Sequence, residues 1–110
     1  MKMIKYDKLV RDGIVDRIKS TWWIEKHHIA SDEEFEIKLK NKILEEAKEL
    51  VEAKDLEIVK KELGDILTVA EEIMKFYNIS EEEIKIIKQK KDKEVGKFDK
   101  RIILEEASEF

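Results

Sequence analysis

The 110-residue sequence contains no cysteine and no proline, and it has only three glycines. The lack of cysteine excludes disulfide bonds and thiolate chemistry, and it is typical of a reducing, cytoplasmic compartment. The scarcity of proline and glycine favours helices over a loop-rich or all-β fold. No apolar run approaches the ~18 residues that a membrane-spanning helix needs. Charges within the first seven residues also argue against a signal peptide.

The chain also lacks a large excess of charge of one sign. Charged residues make up 45% of it, but the formal net charge is only −4. No bulk field therefore draws the protein to nucleic acid or to a membrane surface. The lysines between Lys85 and Lys100 alternate with acids, which is typical of a solvated face. We expect neither nucleic acid nor a membrane as a partner.

Apolar spacing and capping residues predict an all-α fold, a bundle of about four helices that forms a single domain over residues 1–110. The four helices are expected at Leu9–Ile18, from Ser31 or Asp32 to about Ala53, at Asp55–Asn78, and from Glu81 to about Val95. Gly13 weakens the middle of the first helix, and Gly96 ends the fourth. Short extended segments are expected near residues 22–29 and 100–104.

The third expected helix carries acids on a side that is otherwise apolar. Its main apolar stripe is accompanied by a second row, formed by Ile58, Val69 and Phe76. Glu62 and Asp65 fall among or beside that second row. Acids on a face that packs against a neighbour are costly unless something offsets their desolvation. A bound cation is the obvious candidate.

The second helix carries a matching pair of acids, Glu46 and Glu49, at the same three-residue spacing. If the two helices form an antiparallel hairpin, this pair can meet Glu62 and Asp65 across the seam. Four carboxylates without histidine or cysteine suit a hard cation, Mg²⁺ or Mn²⁺. Gly64 supports a site here, because a mid-helix glycine costs ~1 kcal/mol and is tolerated where another backbone or a ligand approaches closely.

Acidic spacing alone is weak evidence, because 27 of the 110 residues are Asp or Glu. The tail repeats the Glu-Glu-x-x-Glu spacing at residues 105–109, with no partner motif after it. A solvated acidic face with lysine partners explains the spacing of Glu46 and Glu49 equally well. The position of Glu62 and Asp65 among apolar residues favours a site.

Three ordered motifs carry a family resemblance. Glu45-Glu46-x-x-Glu49, then twelve residues, then Glu62-x-x-Asp65 resembles the metal signature of the MazG-like, all-α nucleoside triphosphate pyrophosphohydrolases. Residues 6–12, Tyr-Asp-Lys-Leu-Val-Arg-Asp, resemble the opening of a phosphoribosyl-ATP pyrophosphohydrolase-like branch. Residues 96–104 resemble the closing segment of that branch. The three motifs together span nearly the whole chain.

The resemblance implies a helical homo-oligomer, a dimer or tetramer, that uses Mg²⁺ to convert a nucleotide to the monophosphate and pyrophosphate. It implies these metal ligands: Glu46, Glu49, Glu62 and Asp65, with Glu45 as a fifth. Glu46 or Glu49 could also act as the catalytic proton acceptor. Cations expected to bind the substrate phosphates are Lys91, Arg101, Lys8 and Arg11.

The chain departs from the branch near its closing segment. The branch usually reads Lys-x-x-x-Arg-Gly-Gly-Phe, whereas Val95 and Lys97 stand at the Arg and second Gly positions here. One phosphate-facing charge is thus lost or relocated, which leaves the substrate open, phosphoribosyl-ATP included. Two other classes also stay open. A non-catalytic oligomerisation module would bind no Mg²⁺, and a nucleotide-sensing module would bind Mg²⁺-nucleotide without turnover.

Overall fold

The computed structural model describes residues 2–109 and contains helices but no strand within that range. The helices are α1, Ile14–Ser20; α2, Asp32–Glu52; α3, Leu56–Phe76; and α4, Glu81–Val95. Residues 23–31 and 101–107 have no regular secondary structure. The prediction of an all-α chain with four helices is confirmed. None of the helices within residues 2–109 is long and apolar enough to cross a membrane.

The starts of the three long helices are fixed by the capping residues that the sequence predicts. Ser31 Oγ and Asp55 Oδ1 each accept a hydrogen bond from the backbone N–H three residues later, at 3.2 and 2.9 Å. Ser80 and Glu83 form a reciprocal capping box at the start of α4. Each such cap contributes about 1 kcal/mol because it satisfies a backbone donor that the helix leaves free. The boundaries of α2, α3 and α4 follow from these local bonds.

The expectation that Gly13 lies inside the first helix is wrong, and the described chain makes no close approach to Gly64. The first helix begins at Ile14 with Gly13 as its N-cap, so Leu9 and Val10 precede it. Gly13 avoids the helix interior, where its conformational freedom would be costly. At Gly64 an added Cβ would meet no other atom within 4 Å, so no part of residues 2–109 approaches this position closely.

An antiparallel hairpin of α2 and α3 organises the first part of the chain. The two helices pack against each other and are joined by Ala53–Asp55. Near the start of α2, the ring of Phe35 lies edge-on to that of Phe76, near the end of α3, with centroids 5.8 Å apart. The middle of the seam buries the core residues Leu39 and Val69. Residues in the middle of one helix therefore face residues in the middle of the other.

The chain divides into two compact units between Asn78 and Ile79. The first unit contains α1, α2 and α3, and the second contains α4 and the segment that follows it. Asn78 adopts a left-handed conformation with φ 58°, which asparagine tolerates better than most residues, and α3 ends two residues before it, at Phe76, rather than at Asn78 itself. Within residues 79–109 no side chain is fully buried. The assignment of residues 1–110 to a single domain stays a prediction.

The hairpin has one side that is apolar and exposed. On α2 the exposed apolar residues recur every seven positions, at Ile37, Leu44 and Val51. On α3 the corresponding exposed residues are Leu56, Leu63 and Leu67. Leu44 is 71% exposed and Val51 84%. Solvent-exposed rows of this kind are typical of a surface that another molecule covers.

We expect replacement of Gly64 by alanine to raise the free energy of unfolding by about 1 kcal/mol. The added methyl group finds open space, and alanine has the higher helix propensity. Denaturant unfolding followed by circular dichroism measures the change. A loss of stability in Gly64→Ala would contradict the expectation and reveal a neighbour that approaches this side of α3.

Candidate metal centre

Three carboxylates converge in the seam between α2 and α3. One oxygen from each of Glu46, Glu49 and Glu62 lies within 4.8 Å of the others. The hairpin brings them together because Glu46 and Glu62 both face the partner helix, at the middle of the seam. They are only 6% and 4% exposed, whereas Glu49 lies at the edge and reaches solvent. The meeting of the acids of α2 with Glu62 across a hairpin agrees with the sequence prediction.

Two of the buried carboxylate oxygens accept no hydrogen bond. They are Glu46 Oε2 and Glu62 Oε2, and both are shielded from solvent. A buried carboxylate oxygen without a partner costs several kcal/mol when the group is ionised. Either a proton shared between the two groups or a cation placed between them would remove that cost.

Lysines on the same two helices offset part of the negative charge. Lys42 on α2 approaches Glu45 at 3.3 Å and Glu46 at 3.7 Å. Lys61 on α3 approaches Glu62 at 3.1 Å and Asp65 at 3.5 Å. The spacing of Lys42 to its partners, three and four residues, places them on one face of a helix. Lys61 likewise lies four residues before Asp65, so the spacing of both lysines to their partners is visible in the sequence.

Two further cations come from the segment before α1. Lys8 Nζ lies 3.1 Å from Glu45 Oε1, and Arg11 Nη2 lies 2.9 Å from Asp65 Oδ1. Residues 8–11 have no regular secondary structure, yet they contact both helices of the hairpin. The structure thus places two of the four predicted phosphate-binding cations beside the carboxylates.

The pKa values of the buried pair move in opposite directions because the two groups share one proton. Burial raises the pKa of Glu46 to about 7, with further contributions from its contact with Glu62 and the charge of Glu49. The same contact with Glu46 lowers the pKa of Glu62, and Lys61 lowers it further. At the edge, partial burial alone would raise the pKa of Glu45, but hydrogen bonds from Lys8 and Lys42 outweigh it and the pKa is lowered. Below a pH of about 7 the proton of the pair therefore resides mainly on Glu46.

The predicted site residues fall into three groups. Glu46, Glu49 and Glu62 form the carboxylate cluster. Asp65, one turn beyond Glu62 on α3, is half-buried and bonded to Arg11 and Lys61, while Glu45 is turned towards Lys8 and Lys42. Lys91 on α4 and Arg101 after it belong to the second unit, and their role at the phosphates stays a prediction.

The donor set of the cluster fits a hard divalent cation. It offers only carboxylate oxygens, which is the set that Mg²⁺ and Mn²⁺ prefer over softer metals. Two of these oxygens are buried and lack any other partner. Glu49 opens the cluster to solvent on one side, where water or a substrate oxygen could complete the coordination.

Comparison of the chain with protein-family models, curated proteins and solved structures finds no match. The resemblance to the MazG-like pyrophosphohydrolases therefore stays a prediction that depends on the three motifs.

We expect the metal-free protein to lose stability as the pH rises from about 4.5 to about 7. The pKa of Glu46 is raised from its ordinary value of 4.5 to about 7 in the folded state. Over that interval the folded state holds a proton that the unfolded state releases, so the stabilisation is complete at low pH and is lost as the pH rises. The full shift corresponds to at most about 3 kcal/mol.

Thermal unfolding in a chelator at several pH values measures this loss. The control is Glu46→Gln, which retains the shape but cannot titrate, so its melting temperature should fall less than that of the unmodified chain over the same interval. Equal pH dependence in the two proteins would show that Glu46 does not hold the proton.

Proposed function

We propose that the chain is a Mg²⁺-dependent nucleotide pyrophosphohydrolase, which converts a nucleoside triphosphate or a related nucleotide to the monophosphate and pyrophosphate. The observation that carries the proposal is the pair of buried, unpartnered oxygens, Glu46 Oε2 and Glu62 Oε2, inside a cluster of three carboxylates. A solvated acidic face, which is the alternative explanation of the acids, would leave such oxygens in contact with water. The order of motifs along the chain supports the choice of reaction.

Glu46, Glu49 and Glu62 would hold the metal, with Asp65 and Glu45 as outer ligands that first exchange their present cations. Bound Mg²⁺, or Mn²⁺ in its place, supplies positive charge at the phosphate oxygens. Asp65 is half-buried and lies on the same face of α3 as Glu62, so a rotation of its side chain would bring it to the cluster.

Glu49 is the better candidate for the catalytic proton acceptor. It is the exposed member of the cluster and can contact an attacking water molecule, whereas Glu46 is enclosed by the seam. A general base must lie within hydrogen-bond reach of the proton that it accepts. The enclosed position of Glu46 suits a ligand that is held rigidly.

The positive charge that the triphosphate needs is available next to the cluster. Lys8 and Arg11 already lie within 3.1 Å of carboxylate oxygens at its edge. Arg11 can form two parallel hydrogen bonds to a phosphate group, which a lysine cannot do. Lys91 and Arg101 would add further charge if the second unit approaches the substrate.

The decisive experiment incubates the protein with a panel of nucleoside triphosphates and Mg²⁺ and separates two sets of products. Monophosphate with pyrophosphate is the expected set, and diphosphate with phosphate would identify a different hydrolase. Binding of Mg²⁺-nucleotide without either product would favour a sensing module. Absence of both binding and turnover would favour a structural module.

We expect Glu62→Gln and Asp65→Asn to abolish nearly all turnover while the helical circular dichroism is retained. Each amide keeps the shape of the side chain but removes a charged ligand. The matched controls are Glu106→Gln and Glu109→Gln, because the tail repeats the acidic spacing without a partner helix. Wild-type turnover in both Glu62→Gln and Asp65→Asn would place the active site elsewhere.

The proposed enzyme is a homo-oligomer, a dimer or tetramer, that associates through the apolar side of the hairpin. The side of the hairpin that carries Glu45, Glu49 and Asp65 is its acidic edge. The exposed apolar rows lie away from it: Leu44 is about 140° around α2 from Glu49, and Leu63 about 160° around α3 from Asp65. Covering the apolar side with a second copy would thus leave the acidic edge open to substrate. A symmetric pairing requires such a self-complementary patch.

We expect the protein to have the mass of a dimer or tetramer at tens of micromolar. We expect Leu44→Glu to shift this mass towards that of the monomer. A carboxylate introduced into the apolar rows would be buried without a partner on association. The matched control is Ile87→Glu, which introduces the same charge at an exposed apolar position on α4. Light scattering gives the masses, and a monomeric unmodified chain would contradict this part of the proposal.

A further inference from the structure

Residues 6–12, before α1, lie against the acidic edge of the hairpin. They form an N-terminal strap. Its two ion pairs reach one helix each: Lys8 bonds to Glu45 on α2, and Arg11 bonds to Asp65 on α3. A third contact is the hydrogen bond from Lys38 Nζ to the backbone oxygen of Asp7, at 2.6 Å. These partners are 31 to 54 residues away in the sequence.

Apolar packing contributes little to this contact. Within the strap only Leu9 is half-buried, while Tyr6, Val10 and the charged residues are exposed. The strap also has no regular secondary structure to hold it in place. It is therefore held mainly by charge. Its attachment depends on the negative charge of the two helices.

Lys8 and Arg11 are held in place differently from the other cations at the cluster. Lys42 and Lys61 lie on α2 and α3 themselves, within four residues of their partners, and the helices fix them there. Lys8 and Arg11 can leave without disturbing either helix. They are the cations that can exchange with a ligand.

We propose that the N-terminal strap is an internal competitor of the divalent cation: Lys8 and Arg11 neutralise Glu45 and Asp65 in the metal-free protein, and metal binding releases them. This inference rests on the metal site of the proposed function and adds to it a mechanism of regulation. A divalent cation in the cluster lowers the net negative charge at the acidic edge, which weakens both ion pairs of the strap. Because such coupling is reciprocal, an attached strap must weaken metal binding by the same factor.

Release of the strap would let Lys8 and Arg11 act in two ways. They neutralise carboxylates in the metal-free protein and would bind phosphates after the metal has bound. Bonded to Glu45 and Asp65, Lys8 and Arg11 each have part of their charge and one donor group committed to a carboxylate. Once released, they would be free to turn all their donors towards a phosphate group at the open side of the cluster. Metal binding would thus make the strap more available to the phosphates.

The test measures Mn²⁺ affinity by isothermal titration calorimetry in the full chain without nucleotide. We expect Lys8→Gln and Arg11→Gln each to bind Mn²⁺ about two- to fivefold more tightly than the unmodified chain, as exposed ion pairs allow. The double variant should gain about tenfold if the two effects are independent. The matched controls are Lys5→Gln and Arg17→Gln, which remove the same charges where no ion pair is formed within residues 2–109.

The outcomes separate this inference from the proposed function. If the unmodified chain and all variants fail to bind millimolar Mn²⁺, the metal site itself is wrong and the strap inference fails with it. If the unmodified chain binds Mn²⁺ but Lys8→Gln and Arg11→Gln match their controls, only the inference is overturned. Weaker binding in these variants would also overturn it, because the strap would then support the ligands.

A second measurement follows the strap directly. The chain has no cysteine, so Asp12→Cys provides a unique attachment point for a spin label. We expect the label to become more mobile when saturating Mg²⁺ is added, and a label on Lys88→Cys in α4 to remain unchanged. An unchanged label at residue 12 under conditions where Mg²⁺ is bound would overturn the release of the strap.

Discussion

Glu46 and Glu62 meet in the seam of the α2–α3 hairpin, where both side chains are almost completely buried. Burial of two like charges opposes folding, because each loses its hydration and repels the other. The hairpin tolerates the pair since apolar packing about two turns away along the seam, where Leu39 and Val69 are buried, holds the two helices together. A proton on Glu46 relieves part of the cost in the metal-free chain and leaves as the pH rises; in the proposed metal site an entering cation would displace it.

The cations around the pair fall into two groups that are held in place in different ways. Lys42 and Lys61 are carried by the same two helices as the carboxylates and lie 3.7 Å from Glu46 and 3.1 Å from Glu62. Lys8 and Arg11 come from a segment that the hairpin holds only by charge. Lys42 and Lys61 lower the cost of burying the carboxylates, and Lys8 and Arg11 would set the affinity for a ligand under the proposed competition. A site built in this way would fold without metal and still respond to it.

The features predicted from the sequence are those with local causes. Helix ends follow from Ser31, Asp55 and Ser80, because each bonds to a backbone group three residues away. The burial of Glu62 follows from its place among apolar residues at helical spacing.

The features that sequence reasoning missed depend on tertiary geometry. No periodicity links Lys8 to Glu45 or Arg11 to Asp65, since these ion pairs arise only when the strap folds back on the hairpin. The divergence of Glu45 from the cluster has the same origin: a residue next to Glu46 points about 100° away around the helix, towards the strap. A mid-helix glycine suggests a close neighbour, but within residues 2–109 the space around Gly64 is open. The sequence alone could not distinguish these two situations.

The two sides of the hairpin differ in chemistry and therefore suit different surroundings. In the proposed enzyme the acidic edge requires access to water and ions, because Glu45 and Asp65 would exchange their present cations there. The apolar side, with Leu44 and Leu63 exposed, requires cover. Helices α2 and α3 cannot cover this side themselves, since their inward faces are already occupied by the seam. In the proposed oligomer, a second copy that covers the apolar side would also stiffen the seam from behind and would hold Glu46 and Glu62 at the short separation that a shared cation would need.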